Sequence, residues 1–229
     1  SYLGSDGLLK FAAEDIPRIE YGSDGSLKGL LIEEQRTNLV TYSEASQTNW
    51  PTYGSSTVTD LSEDALGVFP GVSVASGGQT WHASSPASIN LTASQVYSLT
   101  VWYAAGTSNE LYVAVKDVAT GNEVRAKGVI GSLAISGPGG SMSVLSDEGL
   151  GGGVRRLSVT VTPNNTGAHD LIVGPNSATS GHAVKVYGAQ LEAGSFATSY
   201  IPTSGSQKTR DPDIASIPVS AFGYNQDAG

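Results

Sequence analysis

The chain of 229 residues contains no cysteine, few charges and no long apolar run. Without cysteine there are no disulfides, no thiolate nucleophile and no cysteine-ligated metal, so packing and hydrogen bonding must stabilise the fold. No apolar stretch approaches the roughly 20 residues that a membrane-spanning helix needs, which predicts no membrane insertion. Only 14% of the residues are charged, a low share for a globular chain.

The few charges are mostly acidic. Twelve Lys and Arg stand against 21 Asp and Glu, which gives a net charge of -9 and a pI near 4.7. Nucleic-acid affinity depends on many cations that neutralise phosphates. The charge balance therefore predicts no nucleic-acid partner.

Motifs typical of catalysis are scarce. His82, His169 and His182 lack the spacing of a zinc site, and neither a Gly-x-Ser-x-Gly elbow nor a phosphate-binding loop occurs. Adjacent carboxylates exist, but neighbours on a strand point to opposite faces, so a glycosidase pair would have to come from separate strands. The sequence predicts a protein that is not an enzyme, with no catalytic residue and no cofactor.

Glycine and short alternating segments are abundant. The 29 glycines, with many Ser and Thr, favour tight turns between strands. Apolar and polar residues alternate over residues 97–103, 111–116, 155–161 and 184–187. This pattern predicts an all-β fold, a jelly-roll β-sandwich of two antiparallel sheets that each bury one face. The glycine-rich stretch 131–153 is expected to be mostly loop.

The residues that alternate away from the apolar side form one outer face that mixes aromatic rings with charges. Its members are Trp102, Tyr112, Lys116, Arg156, Lys185 and Tyr187. Sugars offer C–H faces that stack on aromatic rings and hydroxyls that bond to polar groups. The candidate carbohydrate-binding residues are therefore Trp102, Tyr112, Lys116, Arg156 and Tyr187, with Trp81 from a loop.

The alternative for the aromatic residues is ordinary packing. Trp102 and Tyr112 could lie under the N-terminal segment or a second sheet, because large aromatic side chains are commonly buried. The charged members of the set would then be solvated sheet residues.

Two runs near the ends of the chain stand out. They read GLLIEEQRTNL at 29–39 and GAQLEAGSFATSYIPT at 188–203. Arg36 is expected to pair with Glu33 or Glu192 and so lock the runs together, and Asn38 to bond loop backbone. Glu33 and Glu192 are also candidate ligands for a structural calcium, although no Asp-rich loop accompanies them.

Together the two runs, with the β-type sequence between them, resemble the carbohydrate-binding-type jelly-roll modules of tailed-phage tail fibre, tail and spike proteins. The resemblance implies a non-catalytic, lectin-like glycan-binding or host-adhesion module on a virion surface or in another extracellular setting. Its partners would be bacterial surface or other polysaccharides, neighbouring domains of the same particle protein, and sister chains of a homotrimer. One departure is Val154-Arg155, where such modules often carry an aromatic pair.

The same resemblance implies a domain organisation. Residues 1–29 would be an N-terminal lead-in that packs on the sandwich, 30–205 the module itself, and 206–229 a linker toward a following domain. Two other functions stay open: a structural spacer or assembly domain of a fibre, and a polysaccharide depolymerase or lyase domain with dispersed catalytic residues.

Overall fold

The computed structural model describes residues 1–13, 15–62, 67, 70–80, 83–84, 86 and 88–216. Within these ranges the chain forms β-strands without any helix, and hence without a helix that could cross a bilayer. The strands are β1 (Tyr2–Leu3), β2 (Leu9–Lys10), β3 (Ile19–Tyr21), β4 (Leu27–Leu30), β5 (Arg36–Asn38), β6 (Thr52–Tyr53), β7 (Thr57–Asp60), β8 (Val72–Ala75), β9 (Ala83–Ser84), β10 (Ile89–Leu91), β11 (Tyr97–Ala105), β12 (Glu110–Asp117), β13 (Glu123–Val129), β14 (Ser132–Ser136), β15 (Gly140–Gly151), β16 (Val154–Pro163), β17 (Gly167–Pro175), β18 (Ala183–Ala193) and β19 (Lys208–Arg210).

Two antiparallel sheets make the body of the molecule. The front sheet has the strand order β15-β16-β11-β18-β8-β7. The back sheet has the order β14-β13-β12-β17-β9-β6, with β10 also paired to β17. Three two-stranded ribbons, β1-β2, β3-β4 and β5-β19, lie outside them. The fold is the jelly-roll sandwich that the alternating segments predict.

The inner faces of the two sheets form one apolar core. Leu99 and Val101 of β11, Leu157 of β16, and Val113 of β12 are all fully buried in it. Each lies on the apolar side of its alternating segment, so the assignment of inward and outward residues is confirmed for these strands.

The prediction of a loop over 131–153 is wrong. Strands β14 and β15 occupy most of that stretch. Several of the glycines in the stretch lie in the turns at the ends of these two strands. Gly137 has φ +115°, and a Cβ there would lie 2.1 Å from the Glu123 carbonyl oxygen. Gly151, Gly152 and Gly153 all have positive φ and form the turn into β16. Composition alone did not separate glycines in turns from the strands beside them.

Asn38 joins the two end runs. Its Oδ1 accepts hydrogen bonds from Val40 N at 3.1 Å and Leu191 N at 3.2 Å, and its Nδ2 donates to Ile201 O at 2.9 Å. The side chain is fully buried. Its expected role as a bond to loop backbone is confirmed, and it connects β5 to the far end of the chain.

Glu33 collects a second set of contacts between the chain ends. Its carboxylate accepts hydrogen bonds from Ser199 N and Oγ, both at 2.6 Å, and lies 2.8 Å from Arg18 and 3.1 Å from Arg210. Asp213 accepts a bond from Glu33 N at 2.8 Å and pairs with Arg18. Arg18 and Glu33 are only 8% and 9% exposed, whereas Asp213 is 29% exposed, so the cluster is shielded at its centre and open to water at its edge.

Arg36 makes a different pairing from the one expected. Its guanidinium pairs with Glu34 rather than with Glu33 or Glu192, donates to Ala193 O, and lies 4.6 Å from the centre of the Phe196 ring. The reason is position, because Glu33 is already held by Arg18 and Arg210. Arg36 still links the two end runs, through the backbone of the second run.

The segment after residue 205 starts by packing on the body. Strand β19 pairs with β5, and Arg210 contacts Glu33. Residues 217–229 of the expected linker lie outside the described part of the chain. The division into lead-in, module and linker stays a prediction.

Replacing Asn38 by Ala should destabilise the domain by about 2–4 kcal/mol, because three buried backbone groups lose their partner. Urea unfolding would measure the loss. Asn90→Ala is the matched control, since Asn90 is an exposed strand residue and its loss should cost less than about 0.5 kcal/mol. Equal stability of the two variants would contradict the role of Asn38.

Glu33 should make stability depend on acid pH. Burial alone would raise the pKa of Glu33, but hydrogen bonds from Ser199 and the charges of Arg210 and Arg18 outweigh it and hold the pKa below its usual value of 4.5. A lowered folded-state pKa contributes stability above the unfolded value, and this contribution is lost as the pH falls through the folded value.

We therefore expect Glu33→Gln to be about 3 kcal/mol less stable at pH 7, because it leaves Arg210 without a carboxylate and Arg18 with only Asp213. The difference from the parent chain should shrink as the pH falls below 4.5. Urea unfolding from pH 7 to 3 would measure it, with Asp211→Asn as control, because Asp211 is exposed and belongs to none of the ion pairs of this cluster. A difference that stays constant over this range would argue against the cluster.

Candidate functional site

The candidate residues fall on two opposite surfaces, so the expectation of a single outer face is wrong. Trp102, Arg156 and Tyr187 belong to the front sheet, whereas Tyr112 and Lys116 belong to β12 of the back sheet. The physical reason is the connection at residues 106–109, which passes from one sheet to the other instead of making a hairpin. Alternation marks which residues point outward, but it does not tell which sheet carries them. Trp81 lies outside the described residues.

On the back sheet, Tyr112 is packed rather than open. Only 3% of it is exposed, and it clusters with Ala114, Ile172 and Tyr53. Burial, helped by the nearby Glu123 carboxylate, raises the pKa of Tyr112 well above its usual value. Lys116 donates to the Tyr53 hydroxyl at 2.7 Å. This surface therefore carries Lys116, the predicted cation, but the buried Tyr112 offers no exposed ring on which a sugar could stack.

On the front sheet, Trp102 is also buried, with 2% exposure. The Tyr200 ring meets it edge-on, with 5.1 Å between ring centres, and the Arg156 guanidinium lies 5.7 Å from the ring centre. A bulge in β18 sets Tyr187 and Gly188 opposite Trp102, so that Tyr187 packs beside it. Trp102 is therefore a packed residue, as the alternative of ordinary packing predicts.

The second end run places Tyr200 over the front sheet. After β18 the chain turns and runs back, and the fully buried Gln190 holds the return by bonds to Ser199 O at 3.1 Å and from Ile201 N at 2.7 Å. Glu192 accepts bonds from Thr198 N and Oγ1. Arg156 donates to Thr198 O at 2.8 Å, which anchors its guanidinium beside Trp102.

A cleft of about 420 Å³ opens over this packed aromatic pair, and we call it the Trp102 cleft. The ribbons β1-β2 and β3-β4 form one wall, and the end of β15 forms the other. Trp102 and Tyr200 contribute to the floor. The walls add polar and aromatic groups, namely Tyr2, Glu20, Tyr21, Asp24, Lys28, Glu148 and Arg156.

The Trp102 cleft is lined by charges of both signs. Glu148 is the cross-strand partner of Arg156, and it is exposed. Burial raises the pKa of Glu20, although the Leu3 N–H donor at 3.0 Å and the charge of Arg156 act in the opposite direction. The buried Nε of Arg156 has no hydrogen-bond partner among the described residues. The exposed side chains of Lys28 and Glu148 offer a polar ligand a donor and an acceptor.

Sequence reasoning missed most of the cleft walls. Glu20, Tyr21 and Lys28 lie on β3 and β4 of the lead-in, and Glu148 lies on β15, in the stretch expected to be loop. The available signal was the short alternation of Ile19-Glu20-Tyr21 around the turn at 22–26.

Metal ligation has no assembled site in the described ranges. No group of three or more His, Asp and Glu residues there is placed to hold an ion. The oxygens of Glu33 and Glu192 accept bonds from protein donors instead. The suggestion of a structural calcium stays a prediction. His169 is buried against Gly167 O, His182 lies 3.0 Å from Ser177 Oγ, and His82 is outside the described residues.

Comparison with known proteins shows similarity of fold only. No protein-family model matches the chain, and no curated protein matches it. Among solved structures, the chain is similar to the endo-1,4-β-D-xylanase 10B of Clostridium thermocellum, solved as CBM22-1 and GH10 modules complexed with xylohexaose. The match has 13% identity and a TM-score of 0.45, over 75% of this chain and 30% of that one.

Two further solved structures are similar at the same level. One is an arabinose-bound GH51 α-L-arabinofuranosidase, with 9% identity, a TM-score of 0.44, and coverage of 70% of this chain and 26% of that one. The other is the CBM22-1 xylan-binding domain of a Paenibacillus barcinonensis xylanase, with 11% identity, a TM-score of 0.42, and coverage of 70% of this chain and 94% of that one. The chain thus covers less than a third of the length of each of the two enzymes. Similarity at this level assigns no role to any residue of the Trp102 cleft.

Proposed function

We propose that the chain is a non-catalytic glycan-binding module that serves host adhesion in a phage-like tail or spike protein. One observation carries the proposal: the Trp102 cleft combines aromatic rings, carboxylates and cations in one opening of about 420 Å³. Small-ligand sites typically occupy about 300–1,000 Å³. The phage setting is supported by the resemblance of the two end runs, and it implies a virion-surface or extracellular location with polysaccharides and neighbouring domains as partners.

The chemistry of the cleft suits sugar hydroxyls, which both donate and accept hydrogen bonds. Glu20 and Glu148 supply acceptors, and Lys28 and Arg156 supply donors. The half-buried rings of Tyr2 and Tyr21 supply apolar surface for sugar C–H groups. Trp102 acts as the support beneath them. In this proposal binding is reversible and no bond is broken.

The experiment compares charge-removing variants on the two surfaces of the sandwich. We expect Lys28→Ala and Glu148→Gln each to weaken binding about tenfold on an array of bacterial surface polysaccharides, because each removes a charge-assisted hydrogen bond. Lys116→Ala is the matched control on the back sheet and should bind as the parent chain does. Trp102→Ala is unsuitable, because loss of that buried ring should destabilise the fold by about 3–5 kcal/mol.

The outcomes separate the two surfaces. Loss of binding in Lys116→Ala but not in the cleft variants would move the site to the back sheet and sink the proposal for the Trp102 cleft. Unchanged binding in all three variants would do the same.

An enzyme is a second candidate, because Glu20 and Glu148 line the same cleft and burial raises the pKa of Glu20. A pair of carboxyl groups, one of them with a raised pKa, is an arrangement that glycosidases use. An assay for released reducing ends on the bound polysaccharides discriminates the two. Product formation that Glu20→Gln abolishes would replace the binding module by a depolymerase.

A structural or assembly role is the third candidate, and the exposed apolar residues of the N-terminal region favour it. Between 49% and 66% of each of Phe11, Ile16, Leu27, Leu30 and Ile32 is exposed. The occupant that we favour is a second copy of the chain, because symmetric contact between copies covers the same residues on each of them.

The double variant Leu27→Ser with Leu30→Ser tests the assembly role. If the region joins copies, the parent chain should sediment as an oligomer at high concentration, and the variant should sediment as a monomer with nearly unchanged urea unfolding. Val129→Ser with Val144→Ser is the control, since these residues are similarly exposed on other strands. A parent chain that stays monomeric at every concentration rules the assembly role out.

A further inference from the structure

A second depression of about 670 Å³ lies beside the Trp102 cleft on the outer face of the front sheet. We call it the Tyr187 cleft, because Tyr187 and Lys185 of β18 contribute to its floor. The two clefts share Ser23, Asp24 and Leu150 in their linings. The two clefts are therefore adjacent, and we call the two together the groove.

The strand register gives the extent of this groove. Arg156 pairs with Trp102, whereas Lys185 pairs with Ala104, which in turn pairs with Val154. Lys185 is therefore two residues along and two strands across from Arg156. At ordinary strand geometry this is roughly 7 Å along the strands and roughly 10 Å across them. One sugar ring does not span both positions.

Glycines lie in two turns that line the groove. The turn at 22–26 carries Gly25, and the turn from β15 to β16 carries Gly151 and Gly152. A Cβ at any of these three positions would have no other atom within 4 Å. The space beside these glycines is therefore open.

The charges of the groove nearly cancel. Four carboxylates and three cations line the two clefts within the described residues. Asp6, one of the carboxylates, is paired with Lys10 at 2.9 Å. Such a lining offers hydrogen bonds of both kinds without a net field that would attract a polyanion or polycation.

From this geometry we infer that the groove binds an internal stretch of an uncharged, linear polysaccharide, and that it requires several consecutive sugar units rather than one terminal sugar. The inference rests on the proposed glycan-binding function and adds the class of ligand. Lys28 and Glu148 hold the units in the Trp102 cleft, and Lys185 binds units in the Tyr187 cleft.

Calorimetric titration with neutral oligosaccharides tests the inference. The probes are xylo-, cello-, manno- and malto-oligosaccharides of one to six units, with an oligogalacturonate series of the same lengths as the charged comparison. For a series that binds, affinity should rise by about tenfold or more between one unit and four, and then level off. The oligogalacturonates should bind more weakly at every length.

Lys185→Ala separates the two clefts. We expect it to weaken binding of the longest oligosaccharides about tenfold and to leave binding of the shortest unchanged. Lys28→Ala should weaken both, and Lys116→Ala neither. Affinity that does not depend on length, tighter binding of the oligogalacturonates, or a Lys185→Ala variant like the parent would each overturn the inference while leaving glycan binding intact. No binding of any probe, together with no binding on the polysaccharide array, would overturn the proposed function as well.

Discussion

The base of the β3-β4 ribbon is closed by one buried ion pair, and the geometry of the front surface depends on it. Arg18 immediately precedes β3 and Glu33 follows β4, with 2.8 Å between Arg18 Nη1 and Glu33 Oε2. Leu31 N donates to Arg18 O beside this pair. Burial of two charges is tolerable only when each has several partners. Ser199 and Arg210 provide those further partners, so the ribbon is fixed to the body at its base.

This attachment explains why the front surface has a cleft at all. A short two-stranded ribbon has little stability by itself. Held at its base, it stands beside the sheet and presents Glu20 and Lys28 toward β15 and β16. Trp102 and Tyr200 fill the space beneath with apolar atoms, so the polar groups surround a firm floor. The aromatic residues thus shape the site through packing, and the polar residues provide the contacts.

Much of the architecture could be predicted from the sequence, because alternation is a direct consequence of strand geometry. Inward Leu99 and outward Trp102 follow from a period of two, and so does the need for a second sheet. The expected link between the end runs also holds, although through Asn38 and Glu33 more than through Arg36. These features depend on local pattern or on a small set of polar residues that must find partners.

The site could not be predicted in the same way, for two physical reasons. Alternation carries no information about the sheet to which a strand belongs. The pattern therefore groups Tyr112 and Lys116 with residues that lie on the opposite surface. The cleft walls come from very short strands and from β15. The glycines in and around β15 give this stretch the composition of a loop. Glu20 and Glu148 line the same cleft although they lie 128 positions apart in sequence.

The hydrogen bonds between the end runs also constrain how the domain can form during synthesis. The bonds from Ser199 to Glu33 and from Leu191 to Asn38 join residues separated by 166 and 153 positions. Contacts of such long sequence separation are slow to form, because a large loop must be ordered before they contribute. Residue 199 must therefore have left the ribosome before the two end runs can close on each other. Until then Asn38 has its bond to Val40 N but lacks Leu191 and Ile201, and Glu33 has Arg18 but lacks Ser199 and Arg210.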